Sequence, residues 1–155
     1  IPKLYIILIL INLKHMSNQT TQSLPAIDCI QSDGNGKFYL SASQCGTCNA
    51  IYINERSVCA KCFTINNMEI IKLQNSGKLY SYSIVHRSFP GVEVPYISAI
   101  VDLEGGGTIK GNLIGVNPSP ENITFDMTVN VVFKDALGRK DKDGNSYVSY
   151  FFEPA

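Results

Sequence analysis

The chain has 155 residues and hydrophobic side chains make up 45% of it, which allows one main core and excludes both two full-sized domains and a disordered polymer. Lys plus Arg number 13 and Asp plus Glu number 13, so the formal net charge is zero. A general nucleic-acid binder normally shows a basic excess to neutralise phosphates, so that class is disfavoured.

Residues 1–36 are expected to be a leader and an N-terminal tail. Ile1 to Leu13 reads IPKLYIILILINL, shorter than the roughly 20 apolar residues that span a bilayer. Lys3 ahead of an apolar run suits a secretory signal, yet no small-residue cleavage site follows. The preferred reading makes residues 1–15 upstream sequence, with translation starting at Met16, and the polar run from Ser17 to Ser23 a loose tail.

The next signal is the strongest. Cys45, Cys48, Cys59 and Cys62 fall as C-x2-C-x10-C-x2-C, with Cys29 alone upstream. Two such knuckles can turn four sulfurs onto one ion, so a tetrahedral thiolate site is expected over residues 37–67. Zinc is the default ion and iron the alternative, since soft thiolates suit both. A closed set of four ligands leaves no coordination position for catalysis, so the metal would be structural. Two disulfides in a secreted protein are the competing reading, opposed by the odd cysteine count. Between the knuckles lie β-prone Ile51, Tyr52, Ile53 and Val58, a zinc-ribbon pattern in which the ion replaces a core that so few residues cannot form. Lys37 to Gln44 is read as the strand entering the first knuckle after an Asp33-Gly-Asn-Gly36 turn. Cys29 is read as a small buried hydrophobe.

Residues 68–76 are expected as a linker and 77–155 as a β domain. Five strands are predicted there: Lys78–Arg87, Pro95–Leu103, Thr108–Val116, Met127–Lys134 and Ser146–Glu153. Turn-forming residues separate them at Phe89-Pro-Gly91, Glu104-Gly-Gly-Gly107, 117–122 and 137–145. Glu104-Gly-Gly-Gly107 lacks the Lys-Ser/Thr of a phosphate loop and is read as a hairpin; Asp141-Lys-Asp143-Gly-Asn145 resembles part of a calcium loop but is likewise read as a turn. Five strands with a longer third connection fit a small OB-type barrel, with an open five-stranded sheet as the competitor.

A cysteine ribbon with Arg56 three residues before its second knuckle, followed by Gly77-x-Leu-Tyr-Ser-Tyr-Ser-Ile-Val-His86, resembles the rubredoxin-like zinc-ribbon/OB-fold proteins of acyl-CoA metabolism. Pro95-Tyr96, Ile100 to Gly105 and the closing Tyr150-Phe151-Phe152 with Pro154 extend the likeness from about Phe38 to Pro154. The family usually carries Gly after the second Cys and Pro-Pro-Arg before the third; Asn49 and Asn54-Glu55-Arg56 stand here, a departure expected to loosen the loop between the knuckles. The resemblance implies a mainly β fold, a rubredoxin-like zinc ribbon followed by a five-stranded OB barrel. It also implies a cytoplasmic, non-catalytic accessory subunit of a thiolase-superfamily acyl-CoA enzyme, similar to the small subunit of benzoylsuccinyl-CoA thiolase. Such a subunit supports the complex and helps hold the CoA moiety, without nucleic acid or membrane as partner.

Acyl transfer of that kind needs an activated cysteine with a base. With four cysteines committed to metal, only Cys29 and His86 remain as a pair, in different predicted modules. His15 lies in the leader, so His86 is the sole titrating candidate near neutrality, read with Arg87 as a contact to partner or CoA phosphate, or else as a structural residue. Arg56 is read as a phosphate or carboxylate contact, or as one half of a ribbon-to-barrel salt bridge. Nucleic-acid binding and rubredoxin-like electron transfer are the competing functions. Asn18-Gln-Thr and Asn122-Ile-Thr fit glycosylation acceptors that would stay idle in a reducing cytosol.

Overall fold

A computed structural model describes residues 23–155. The readings of residues 1–15 as a leader, of Met16 as the start, of the tail up to residue 22 and of His15 lie outside the described residues. The described chain is nearly all strand, its one helical piece being a 3-10 turn at Pro120–Asn122. Among the described residues no helix is long and apolar enough to cross a membrane.

In chain order the strands are β1 (Leu24–Pro25), β2 (Ile30–Ser32), β3 (Phe38–Cys45), β4 (Ile51–Tyr52) and β5 (Met68–Lys72), then β6 (Ser76–Val85), β7 (Tyr96–Leu103), β8 (Thr108–Leu113), β9 (Thr128–Lys140) and β10 (Ser146–Pro154). The last five close a barrel in the order β6, β7, β8, β10, β9 and back to β6. The β10 to β8 pairing is parallel, at Phe152 and Leu113, and the others around the barrel are antiparallel. This closed arrangement is the OB topology, and it replaces the two free edges an open sheet would expose.

Period-two burial drives the closure. Along β7, Ile97, Ala99, Val101 and Leu103 all turn inward and are buried, and Leu79, Ile109, Leu113, Val129, Val131 and Phe152 meet them from the other strands. Small residues sit where the barrel is tightest. A side chain at Gly77 would put its Cβ 2.5 Å from the Asp102 carbonyl oxygen and 3.0 Å from Leu103 Cα. Just beyond it, Tyr80 is left out of register between β6 and β7 and is exposed.

Two strand ends differ from expectation. β8 stops at Leu113, because Gly115 turns to positive φ (76°) two residues later. β9 runs past Lys134 to Lys140, through a bulge where Leu137 and Gly138 take φ values of 59° and 73°. The turn beyond it is closed by the Asp141 carboxylate, which accepts the N–H groups of Asp143 (2.9 Å) and Asn145 (2.8 Å) and the Asn145 side-chain amide (2.8 Å). The Asn145 amide, first, and then these N–H groups hold the Asp141 carboxyl below the usual carboxylate range.

The first half of the described chain forms a second sheet with β3 at its centre, paired to β2, β4 and β5. Residues 24–36 are therefore folded, not tail. β1 lies beside β10, Cys29 and Ile30 are buried, and Asp33 caps the β2–β3 turn by accepting N–H bonds from Asn35 (2.9 Å) and Lys37 (3.1 Å). Residues 68–72, expected as linker, form β5, which pairs with β3 from Ser41 to Cys45.

Ribbon and barrel share apolar packing. Ile30, Leu40, Ala42 and Leu73 belong to the same buried cluster as the barrel interior, and the rings of Phe38 and Phe133 lie 6.2 Å apart. Only the distal, knuckle-bearing end lies outside this shared apolar core. The Gly105–Gly107 hairpin tip has a further part in this contact: a Cβ at Gly106 would stand 2.8 Å from Ile51 Cδ1, and one at Gly107 3.5 Å from Leu73 Cδ2 and Ile51 Cγ2. Glycine there lets the β7–β8 hairpin lie flush against β4.

Candidate metal centre and its surroundings

Each knuckle is built by the same local bonds. After Cys45, the Asn49 N–H donates to the Cys45 carbonyl and the Cys45 N–H donates to the Ala50 carbonyl, both at 2.9 Å. After Cys59, the Phe63 N–H donates to the Cys59 carbonyl (2.9 Å) and the Cys59 N–H to the Thr64 carbonyl (3.0 Å). The residue after the second cysteine is left-handed in both, Asn49 at φ 58° and Phe63 at φ 60°. Asn tolerates that region well, so Asn49 can hold the left-handed place that a glycine would otherwise fill.

The result brings all four predicted ligands together. Their Sγ atoms lie within 4.8 Å of one another, with Cys45 to Cys62 at 3.6 Å and Cys48 to Cys59 at 3.5 Å. Thiolates around a tetrahedral ion with bonds of ~2.3 Å stand about 3.8 Å apart, so the donor set and its spacing fit such a group. All five cysteines are free thiols, and the two close sulfur pairs are far beyond the ~2.05 Å of a disulfide. Cys45 and Cys59 are fully buried and Cys48 and Cys62 partly so.

Donors converge on the sulfurs. The Tyr52 hydroxyl lies 3.4 Å from Cys59 Sγ, and the N–H groups of Lys61 (3.4 Å) and Cys62 (3.5 Å) donate to the same atom. The Tyr52 hydroxyl, against desolvation and with those two N–H groups, brings the Cys59 thiol down to about 5. The Thr64 hydroxyl, 3.2 Å from Cys62 Sγ, likewise lowers Cys62. At Cys48 the N–H of Ala50 works downward, but desolvation and the three neighbouring sulfurs push it up to about 12. Four crowded sulfurs cannot all carry charge unaided, which is the demand a divalent cation meets.

Tyr52 and Thr64 were not legible as site residues, because nothing in their spacing marks them; only the pairing of β4 with β3 and the bridge between Val58 and Ile65 bring them in. Tyr52→Phe should leave the ribbon folded and the ion bound but weaken metal affinity about 10–100-fold, read by competition against a chromogenic chelator. Unchanged affinity would mean that the hydroxyl is a bystander.

Arg56 stacks on the same ring, its guanidinium carbon 3.9 Å from the Tyr52 centroid. It makes no ribbon-to-barrel salt bridge: among the described residues the single ion pair is Lys134 with Glu153. Arg56 instead lines an open cleft of about 560 Å³ between the ribbon and the β7–β8 hairpin, with Gln44, Asn54, Gly106 and Thr108. His86 and Arg87 follow the end of β6, exposed, and neither joins the cysteine cluster or this cleft. Cys29 is buried, and desolvation raises its thiol above the ordinary value.

Comparison with known proteins places this architecture. The family model described as ChsH2, C-terminal OB-fold domain, matches residues 71–134. A DUF35 domain-containing scaffold protein of Methanocaldococcus jannaschii is 34% identical over 120 residues, 76% of this chain and 83% of that protein. Benzoylsuccinyl-CoA thiolase subunit BbsA of Thauera aromatica is 27% identical over 126 residues, 81% of this chain and 83% of that subunit. Among solved structures, a chain of the Ltp2-ChsH2(DUF35) aldolase superposes with a TM-score of 0.59 at 25% identity, covering 75% of this chain and 84% of that one. At 34% identity to the Methanocaldococcus jannaschii protein over most of both chains, this chain belongs to the DUF35 domain-containing scaffold protein family.

Proposed function

We propose that the chain is a non-catalytic accessory subunit of a thiolase-superfamily acyl-CoA enzyme, that its cysteine quartet holds one structural zinc ion, and that it works in the reducing cytoplasm. The observation that carries this reading is its likeness, across ribbon and barrel alike, to a subunit of benzoylsuccinyl-CoA thiolase. The cysteine chemistry supports it. The lowered thiols sit in a quartet that a metal would fill, leaving no open coordination position. Cys29 is buried with a raised thiol, the opposite of an activated nucleophile. In this reading the partner supplies the nucleophile and the acyl pocket, while Arg56, from the cleft between ribbon and hairpin, and the exposed Arg87 offer guanidinium groups to the partner or to CoA phosphates, with the exposed His86 as a further contact.

The test is a pull-down with the full chain from its own cells, followed by thiolysis assays with and without it. A roughly stoichiometric thiolase-like protein whose activity or yield depends on the chain is expected; a solitary monomer with no effect on thiolysis would sink the reading. Elemental analysis of the native protein should find one zinc per chain. A red, iron-loaded protein with a reversible one-electron couple would replace the accessory role by electron transfer.

A further inference from the structure

Among the described residues five side chains other than glycine's stand on a left-handed backbone. Three are Asn49, Asn66 and Asp126, residue types that tolerate it. The other two are Phe63 and Leu137, both bulky and both 76% exposed, so neither recovers the cost through burial. Leu137 has a local reason: it sits in the β9–β10 bulge, whose geometry is fixed by Gly138 donating to the Asp135 carboxylate. The backbone at Phe63 is likewise set locally, by the knuckle turn in which its N–H donates to the Cys59 carbonyl, but nothing in that turn calls for a phenyl side chain, and the exposed ring stacks on no other aromatic ring among the described residues. The first knuckle fills the equivalent place with Asn49 and makes the same backbone bond.

Phe63 also has apolar company. Val58 and Ile65 face each other across an isolated antiparallel bridge beside it, 42% and 65% exposed. The three exposed side chains, all within residues 58–65 of the second knuckle, expose in total an apolar area on the order of 300 Å². A stable dimer buries ~800 Å² on each side, so this area does not suffice for a second copy of the chain. It suits an anchor that enters a pocket inside a wider, polar contact. Lys61, exposed between the two cysteines of this knuckle, adds a cation with no acidic partner among the described residues.

We propose that Phe63, flanked by Val58 and Ile65, is the anchor by which the ribbon docks into an apolar pocket on the catalytic subunit, a pocket rimmed by a carboxylate that faces Lys61. The proposal rests on the accessory-subunit reading above. Strain at an exposed aromatic is then retained because the complex, not the free chain, uses the ring.

The experiment compares wild type with Phe63→Gly, Ile65→Ser and Leu137→Gly, measuring metal content and Tm of the free full chain and its Kd for the thiolase-type enzyme. Phe63→Gly should keep its metal, hold or raise Tm, and weaken the complex about 30-fold or more. Ile65→Ser should weaken it in the same direction, and Leu137→Gly should leave Kd within about threefold. A Phe63→Gly chain that binds the enzyme as tightly as wild type overturns the anchor while leaving the accessory reading intact. A wild-type chain that binds no thiolase-type enzyme overturns both, and a wild-type self-association abolished by Phe63→Gly overturns the anchor in favour of a second copy.

Discussion

Cys59→Ser is expected to release the metal and unfold the distal half of the ribbon while leaving the barrel standing. Cys59 is fully buried and is the sulfur on which the Tyr52 hydroxyl and the N–H groups of Lys61 and Cys62 converge. A serine there removes one of four ligands and leaves those donors facing a poorer acceptor. Bound metal should fall from one ion per chain to nearly none. Amide exchange across residues 45–67 should accelerate by roughly 10³-fold or more, well within the binding energy of a structural zinc site. The loss should stop at β3 and β5, because Leu40, Ala42 and Leu73 are held by the barrel core and not by the ion. A strong chelator on wild type should reproduce the pattern. Global unfolding on either treatment would show that the ion stabilises the barrel as well.

Gly77→Ala should be the most damaging single methyl in the barrel. The added Cβ would meet the Asp102 carbonyl oxygen at 2.5 Å and Leu103 Cα at 3.0 Å, backbone atoms that no rotamer change can move. Gly77 is pinched between Leu103 on β7 and Val129 on β9, so relief on one side tightens the other. A cost of about 3 kcal/mol is expected, the upper part of the range for overpacking. For a chain of this size that is roughly 6–12 °C in Tm by calorimetry. Gly144→Ala, with open space around it but a φ of 85° that strains any side chain, gives the cost of backbone strain without a clash, which should be the smaller of the two. Equal Tm changes in the two variants would contradict the clash.

What could be read from the sequence was local. The two-residue gap inside each knuckle sets sulfur geometry over a few bonds, so the ligands Cys45, Cys48, Cys59 and Cys62 were identifiable without a fold. The β-prone run YISAIVDL between two turns did the same for β7, whose burial then alternates residue by residue. What was missed depends on distant partners. Met68–Lys72 has no clean alternation, and it becomes a strand because β3 is there to receive it. Ile30–Ser32 is similarly recruited by Phe38–Leu40. The Glu104-Gly-Gly-Gly107 run was read correctly as a hairpin, but its reason, the close approach of Ile51, appears only once ribbon and barrel are side by side. One signal was available and unused. The place after the second cysteine of a knuckle is left-handed, and a phenylalanine at 63 is therefore conspicuous.

Three residues, Leu73 to Asn75, separate β5 from β6, and both ends of that join are tied: the Leu73 N–H donates to the Leu40 carbonyl (2.9 Å) and the Asn75 carbonyl accepts from the Val131 N–H (2.7 Å). No hinge is available there, so the molecule behaves as a bracket with one fixed angle. Any protein that grips both arms must offer its two footholds at a single spacing, and lengthening the elbow by one residue would misalign them and pull at Leu73, which the two arms bury between them.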